Sequence, residues 1–523
     1  MAYDAIRGSA IGLLLLGNIT IGLTQTLTES LDSVEAVVYW NSPRFVPYRA
    51  MAIKNRVWLD DVFKNESSLI AVSNSWGSGK FQPAQGADKT NAFRFETEGK
   101  TRWNKTDFWG SFYYERSSED STALRHQTRW NEDAPFYFAS MKKNNYHRET
   151  YKLDGAIQQQ FLDGRLPLTL AVDYRLGSHY ANNDPRGSLS DMNLLFELAL
   201  GHRTKHWDYH AKGILGYGSE RVSVGYLNDR NNNGLERPDY TTWQMNGYGS
   251  AKAVNSNIRY DDLINKSGFG IHLKYSPNVH HVFYINGQYV KEKQSFRQSD
   301  SSPLTYKYFN DYDKDIVEGQ LLWSMQRQNN QRITISIDGK VERGADYNYL
   351  VEDNPNPNNY VYQRDQATLA GMYTIGKNTI TAKIGINDLN RADGITGNKL
   401  TYTQYDAGIG LSRSFVLSGY FSLQGQFNYS YQHTLNHELI MPTINAKEIT
   451  NRIIYQDYLY QSASVQEWST RWTFSNHKLR RNWSVIVQAD YQFRGGLIEL
   501  EEAAAYQPGK DWFLGKVGLS YAF

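Results

Sequence analysis

The chain has 523 residues, 14% aromatic and 21% charged, with a formal net charge of +2. Near-neutrality argues against the broad basic face of a nucleic-acid-binding protein, and the absence of cysteine excludes disulfides, thiolate metal sites and a lipid-modified N-terminal cysteine. Mean hydropathy is −0.62 and no apolar run approaches the ~20 residues of a spanning helix, so a helical membrane protein is excluded.

Residues 1–24 carry an apolar stretch, Ala10 to Leu16 continued by Ile19, Ile21 and Leu23, with Arg7 before it. This reads as a degenerate export signal, since Asp4 weakens the basic region and no Ala-x-Ala site follows. The competing reading is a buried apolar segment. Residues 25–66, which include Asn41-Ser42-Pro43-Arg44-Phe45 and Tyr48-Arg49-Ala50-Met51, are too short for a large globular plug. They form either a periplasmic lead or a small hatch in a lumen.

From residue 67 onward the hydrophobic period is two. Leu166, Leu168, Leu170, Val172, Tyr174 and Leu176 alternate with Pro167, Thr169, Ala171, Asp173 and Arg175. Ile333, Ile335, Ile337 and Val341 alternate with Thr334, Ser336, Asp338, Lys340 and Glu342; Leu423, Phe427, Tyr429 and Tyr431 with Gln424, Gln426, Asn428, Ser430 and Gln432; and Trp483, Val485, Val487, Tyr491 and Phe493 with Ser484, Gln488, Asp490 and Arg494. Soluble sandwiches alternate too, but these runs reach about ten residues, the length of a tilted membrane-crossing strand. The last strand puts Phe513, Val517, Leu519, Tyr521 and the terminal Phe523 on one face. Bacterial outer-membrane barrels end this way, so this face is the expected assembly signal for the barrel-assembly machinery, and loss of Phe523 should impair insertion.

Tight turns are expected at Trp103-Asn104-Lys105, Asp163-Gly164-Arg165, His202 to Lys205, Pro277-Asn278-Val279, Asn329-Asn330, Gly376-Lys377-Asn378, Ser414 and Asn476-His477-Lys478. Long polar stretches separate them, among them Arg116 to Thr150, Gly177 to Ser190, Gly218 to Lys266, Lys291 to Asp315 and His433 to Asp457. Eight hairpins with a first and a last strand make an all-β, transmembrane, antiparallel up-and-down barrel of about 18 strands, or about 16 with one hairpin fewer. Short turns face the periplasm and long loops the exterior, and the location is the outer membrane, in contact with its lipids.

The expected inward face carries Asp173, Arg175, Asp208, His210, Lys212, Asp338, Lys340, Glu342, Asp490 and Arg494. Both signs are present, which argues against a strongly ion-selective pore. The charges either orient polar solutes in a hydrated passage or pair across strands and stiffen a closed barrel.

Outside the strands, Asp229-Arg230-Asn231-Asn232-Asn233-Gly234 matches the first half of a calcium loop, with Asp229, Asn231 and Asn233 as ligands. The twelfth position is Tyr240 rather than a bidentate Glu, and the same residues are ordinary turn formers. No other cofactor is expected. His126, with Glu115, Glu119, Asp120, Glu132 and Asp133 in nearby sequence, is the best acid–base candidate, but no Gly-x-Ser-x-Gly nucleophile motif accompanies it. His280 and His281, being adjacent, diverge and do not share a metal. The chain is therefore not read as an enzyme.

Phe93-Arg94-Phe95-Glu96-Thr97-Glu98-Gly99-Lys100, Phe108-Trp109-Gly110-Ser111-Phe112 and Asp184-Pro185-Arg186 carry a resemblance. From about residue 40 to 523 the chain resembles an uncharacterised family of bacterial outer-membrane β-barrels, a domain of unknown function. The resemblance implies fold and location and brings no catalytic residues. The expected activity is a monomeric barrel that passes or binds polar solutes such as glycans or peptides. The alternatives are an accessory barrel docking a surface lipoprotein or uptake complex, and a barrel hydrolase.

Overall fold

A computed structural model describes residues 45–523 apart from 64–65, 129–131, 233, 235, 255–257, 300–304, 328–330, 351–356, 419, 443–446, 479–480 and 498–499. The expected export signal, Asn41 to Arg44 and the Asn329-Asn330 turn lie outside the described residues.

The strands in chain order are β1 (Ser67–Gly79), β2 (Lys89–Trp103), β3 (Thr106–Thr122), β4 (Phe136–Ser140), β5 (Asn144–Phe161), β6 (Leu166–Ala181) and β7 (Arg186–Arg203). They continue with β8 (Trp207–Gly225), β9 (Thr242–Asn246), β10 (Ser250–Val254), β11 (Ile258–Asn278), β12 (His281–Ser299), β13 (Tyr306–Gln326) and β14 (Gln331–Asn348). The last seven are β15 (Pro357–Ile375), β16 (Asn378–Asp393), β17 (Lys399–Val416), β18 (Phe421–Ile440), β19 (Val465–Lys478), β20 (Arg481–Arg494) and β21 (Asp511–Ala522). Among the described residues three α-helices join them: α1 (Val46–Lys54), α2 (Leu59–Val62) and α3 (Glu448–Ser462).

Eighteen strands pair antiparallel with their neighbours in one closed sheet, while β4, β9 and β10 form a separate three-stranded sheet. Closure is made by β1 on β21, Leu69 opposite Ala522 through Gly79 opposite Trp512. At the seam the Phe523 N–H donates to the Ser68 carbonyl at 2.9 Å and the Ser68 N–H to the Phe523 carbonyl at 2.8 Å. A closed sheet leaves no backbone edge unpaired, which is the condition for lying in lipid.

The outward face is apolar, with Leu170, Phe196, Leu215, Ile337, Ile384 and Leu519 among its exposed side chains. Near the short-turn edge Trp207 stacks on Tyr275 at 4.3 Å, followed by Phe283 and Trp323, an interfacial aromatic girdle. Phe513, Val517, Leu519, Tyr521 and Phe523 all stand exposed on this outer side.

Strands are longer than the pattern suggested, 21 residues in β11 and β13. The stretch Gly177 to Ser190 is mostly strand, with β6 running to Ala181 and β7 starting at Arg186, and Lys291 to Asp315 is crossed by β12 and β13 in the same way. Above the bilayer the outward face meets water and the inward face packs the external loops, Tyr260, Phe296 and Phe309 being buried with Phe136, so the lipid-facing alternation that marks a strand fades there while the hydrogen-bonded ladder continues. Two turns on the short-turn side also shift: β17 runs past Ser414 to Val416, and β19 continues through Lys478.

Candidate functional site: the two halves of the lumen

The lumen is entered from the short-turn end by residues 45–63. Pro47 lies in the first turn of α1, where its missing N–H costs nothing, and the Asn55 N–H closes the helix on the Met51 carbonyl at 2.8 Å. A single 3₁₀ turn, Arg56–Trp58, then aims two side chains at the wall.

The Arg56 guanidinium meets Asp154 of β5 at 2.6 Å, Asp173 of β6 at 3.5 Å and Glu197 of β7 at 3.2 Å. Asp154 and Asp173 are directly opposite in the strand register. Such a like-charged pair destabilises a sheet unless cations share it; here Arg56 and Lys152 do, Lys152 lying 3.3 Å from Asp154 and 3.0 Å from Asp173. Lys212 holds the far side of Glu197 at 3.3 Å.

Trp58 is fully buried, donates from Nε1 to Asn286 Oδ1 at 2.7 Å, and packs edge-on against His210 and Tyr284 at 4.9 and 5.4 Å. Further contacts follow the wall round. Arg49 pairs with Glu98 of β2; Lys100 and Arg102 reach Asp60 at 3.0 and 2.5 Å; Lys274 reaches Asp61 at 2.6 Å. Lys54 meets Glu318 at 3.0 Å, and Asn55 donates to Gln320 at 3.1 Å. These hydrogen bonds and ion pairs land on the half of the wall from β2 to β14.

The other half, β15 to β21, is built differently. Its inward positions include Ser412, Gln424, Gln426, Asn428, Ser430, Ser469 and Gln488, all half-exposed. Among the described residues the one ion pair at mid-height, Lys383 with Asp406 at 3.3 Å, has side chains 50% and 34% exposed, against 8% and 9% for Arg56 and Asp154. This half borders open, wettable space.

The external loops roof both halves. The β4–β9–β10 sheet folds over the barrel mouth, with Phe136 stacked on Phe309 at 4.9 Å and edge-on to Tyr260 at 5.3 Å. Gly247 and Gly249 take φ of +59° and +119° in the turn that inserts the buried Tyr248 between Asp393, which accepts its N–H at 2.8 Å, and Asn398, which donates to its carbonyl at 2.9 Å. Over the open half lies α3: Thr434 donates to the Gln461 carbonyl at 3.0 Å and His437 bonds the Tyr458 hydroxyl at 2.8 Å. Glu132 ties α3 across the mouth, accepting from Gln461 at 2.6 Å and pairing with Arg364 at 3.2 Å.

Of the residues expected inward, Asp173 and Lys212 lie around Arg56, as just described. Arg175 pairs with Asp191, and Asp208 with Arg203 at 2.8 Å and His210 at 2.9 Å. Asp338 accepts from Gln320 at 2.7 Å, extending the chain from Asn55; Lys340 meets Glu342 at 3.0 Å. Asp490 accepts from Gln488 at 2.9 Å, while Arg494 donates to the carbonyls of Gly509, Gly495 and Pro508 near the outer rim.

The calcium-like loop is organised otherwise. Asp229 is exposed, Asn233 lies outside the described residues, and Asn231 is buried with Nδ2 donating to Asp184 at 2.9 Å and Oδ1 accepting from the Arg237 guanidinium at 2.7 Å. A cation already sits on the oxygen a calcium ion would need. Burial opposes the Asp184 carboxylate, but the N–H groups of Leu227 and Asn228 and the Asn231 amide outweigh it and hold its pKa below the ordinary range.

His126 is buried, with Nδ1 bonded to Tyr146 and Nε2 at 2.9 Å from Ser140 Oγ; burial, helped by Arg148, pushes its pKa down to about 3. The nearby carboxylates are engaged elsewhere: Glu119 with Arg125 and Arg148, Glu132 with Arg364, Asp133 with Lys314. His280 and His281 turn apart, His281 lying flat against Trp323.

Sequence reasoning did not single out Arg56, Trp58, Asp154 or Glu197. Their juxtaposition depends on strand register, and the motif around Glu98 and Lys100, noted only for its resemblance, proves to grip the N-terminal segment.

A closed eighteen-stranded sheet with an apolar outer belt, an aromatic girdle and a polar interior defines a transmembrane β-barrel of the bacterial outer membrane. The chain belongs to the family of unknown function DUF6850, whose model matches residues 57–523. No curated protein matches the sequence. Among solved structures, the ferric yersiniabactin uptake receptor FyuA from Yersinia pestis is similar at 8% identity and a TM-score of 0.44, over 88% of this chain and 80% of that one. OpdK from Pseudomonas aeruginosa, solved with vanillate, is similar at 10% identity and a TM-score of 0.36, over 88% and 99% of the two chains. The siderophore receptor PiuA from Acinetobacter baumannii gives 8%, 0.38, 87% and 82%.

Proposed function

We propose that this barrel is a gated outer-membrane passage for polar solutes. Residues 45–63 act as a hatch fixed to one half of the lumen, and the solute path runs along the other half beneath α3. The observation that carries this reading is the contrast in exposure between the Lys383–Asp406 pair and the Arg56–Asp154 pair. A barrel closed only for rigidity has no reason to keep a wall of hydroxyls and carboxamides wet. Roofed by α3, the path opens outward when that helix lifts.

Planar-bilayer conductance tests the proposal, on the full chain and on a chain lacking residues 26–67. Small or intermittent steps in the full chain, enlarged by the deletion, are expected. Silence in both would overturn the passage and favour the accessory barrel, whose ordered external loops would dock a surface lipoprotein. Copurification from native membranes would then be the next measurement.

A further inference from the structure

The open half of the lumen contains two inward cations, Arg471 and Lys516, that meet no carboxylate at ion-pair distance among the described residues. Arg471 on β19 is directly opposite Gln488 on β20, and Gln488 is directly opposite Lys516 on β21. The two cations therefore flank one carboxamide at a single height, about 10 Å apart between backbones from two strand spacings. Both side chains are half-exposed.

Elsewhere in the lumen Lys100, Lys212, Lys266, Lys314 and Lys383 each stand within 3.3 Å of a carboxylate. Among the described residues, no ion pair includes Arg471 or Lys516. The nearest acids lie on Arg94, Glu96 at 3.1 Å and Glu115 at 3.7 Å; Glu96 acts on both cations, and Glu115 on Lys516, only from beyond ion-pair distance, while Asp490 accepts from Gln488. Two like charges in one cross-strand row repel and gain nothing for the sheet, so their placement favours an anion held between them in direct contact. The same row continues through Gln426, opposite Arg471, to Ser412, opposite Gln426. It thus offers a carboxamide and a hydroxyl beside the charges.

We propose that Arg471 and Lys516 bind the acidic group of a polyhydroxylated solute, a uronic acid being the simplest, while Gln426 and Ser412 take its hydroxyls. This rests on the reading of the open half as a solute path. A guanidinium grips a carboxylate through two parallel N–H bonds and an ammonium adds a movable point charge, so the row discriminates an acidic sugar from its neutral counterpart.

The test is equilibrium binding of glucuronate and of glucose to the full folded chain in detergent at low ionic strength, followed by ligand-observed NMR. Glucuronate is expected to bind about tenfold more tightly than glucose, with the preference lost in the Arg471→Gln/Lys516→Gln double variant and kept in Lys105→Gln, whose exposed side chain lies in a short turn away from the path. Equal binding of the two sugars, or an undiminished preference in the double variant, overturns the site. Heat-dependent gel mobility reports whether the double variant has folded. If it has not, Lys516→Gln alone decides: a preference reduced about threefold supports the site and an unchanged one refutes it. A bilayer-silent barrel that still prefers glucuronate would keep the site and end the passage reading; a conducting barrel without the preference would end the site alone.

Discussion

The two halves of the lumen wall share one sheet and one inward polarity, yet they use that polarity in opposite ways. From β2 to β14 many inward charges are buried and paired, several of them with a segment that is not part of the sheet and the rest within the wall, whereas at mid-height from β15 to β21 they are sparse, exposed and set among neutral amides and hydroxyls. Polar residues facing a lumen therefore do not by themselves mark a channel. What separates a wall that holds a plug from a wall that meets water is whether each charge has a partner, and at what depth.

The sharpest way to break the contrast is Arg56→Ala. It leaves Asp154, Asp173 and Glu197 with only Lys152 and Lys212 among them. Removing one member of a buried ionic cluster costs about 3–5 kcal/mol. Docking of residues 45–63 is expected to weaken by that order, seen as faster hydrogen exchange across α1 and α2 and larger conductance steps. Unchanged exchange there would show that the carboxylate cluster does not hold the segment.

A second lever acts on the roof. Asp457 lies on α3 and accepts the Ala84 N–H at 2.8 Å. Burial, with the nearby charge of Glu132, pushes its pKa up to about 7, against the pull of Ala84 and Arg391. The docked helix thus keeps a proton that the undocked one gives up near the ordinary carboxyl value of 3.8. Docking is strongest at low pH and weakens as pH rises through this window, by up to about 1.4 kcal/mol per unit, levelling off above about 7. Proteolysis of the α3 loop should accelerate between pH 5 and 7.5, as about two units inside that window suggest. Asp457→Asn should flatten the profile, and an equal slope in the variant would remove Asp457 as its cause.

How far could these features be read from the sequence? The barrel was legible wherever one strand face meets lipid, as in Leu166 to Leu176 or Ile333 to Val341, since hydrophobicity then repeats every second residue. Strand ends above the membrane were not, because the outward face is polar there and the apolar residues, Tyr260, Phe296 and Phe309 among them, turn inward to the roof. The inward positions of Asp173 or Lys340 followed from parity alone, but their partners did not, because Asp154 opposes Asp173 only through a register set by the neighbouring hairpin. Arg56 and Trp58 sat in a segment too short and irregular to show any period. Arg471 lies in β19, which no reading of the sequence picked out, and its row with Gln488 and Lys516 depends on strand register.

A milder probe of the plugged half is Trp58→Phe. A smaller phenyl ring takes the place of the indole and the Nε1–H bond to Asn286 is lost, but Asn286 Oδ1 keeps His272 Nδ1 at 2.9 Å. With the acceptor still satisfied, the loss should be about 1 kcal/mol in docking of the segment. Exchange rates of residues 45–62 would rise by roughly fivefold, the equivalent of that energy. A much larger effect would mean that ring packing against His210 and Tyr284, rather than the hydrogen bond, sets the position.

The smallest effect is expected on the open half, and its smallness is what makes it informative. Gln426 faces the lumen, half-exposed, donating to Asn428 at 3.3 Å within its own strand. If that wall is wet, Gln426→Ala exchanges one solvated group for water and should change barrel stability by less than about 0.5 kcal/mol. If the wall were instead sealed, the truncation would leave a buried partner unsatisfied and cost about 1–3 kcal/mol. Urea or thermal denaturation of the folded barrel in detergent separates these values. A cost comparable to that of Trp58→Phe would erase the distinction between the two halves.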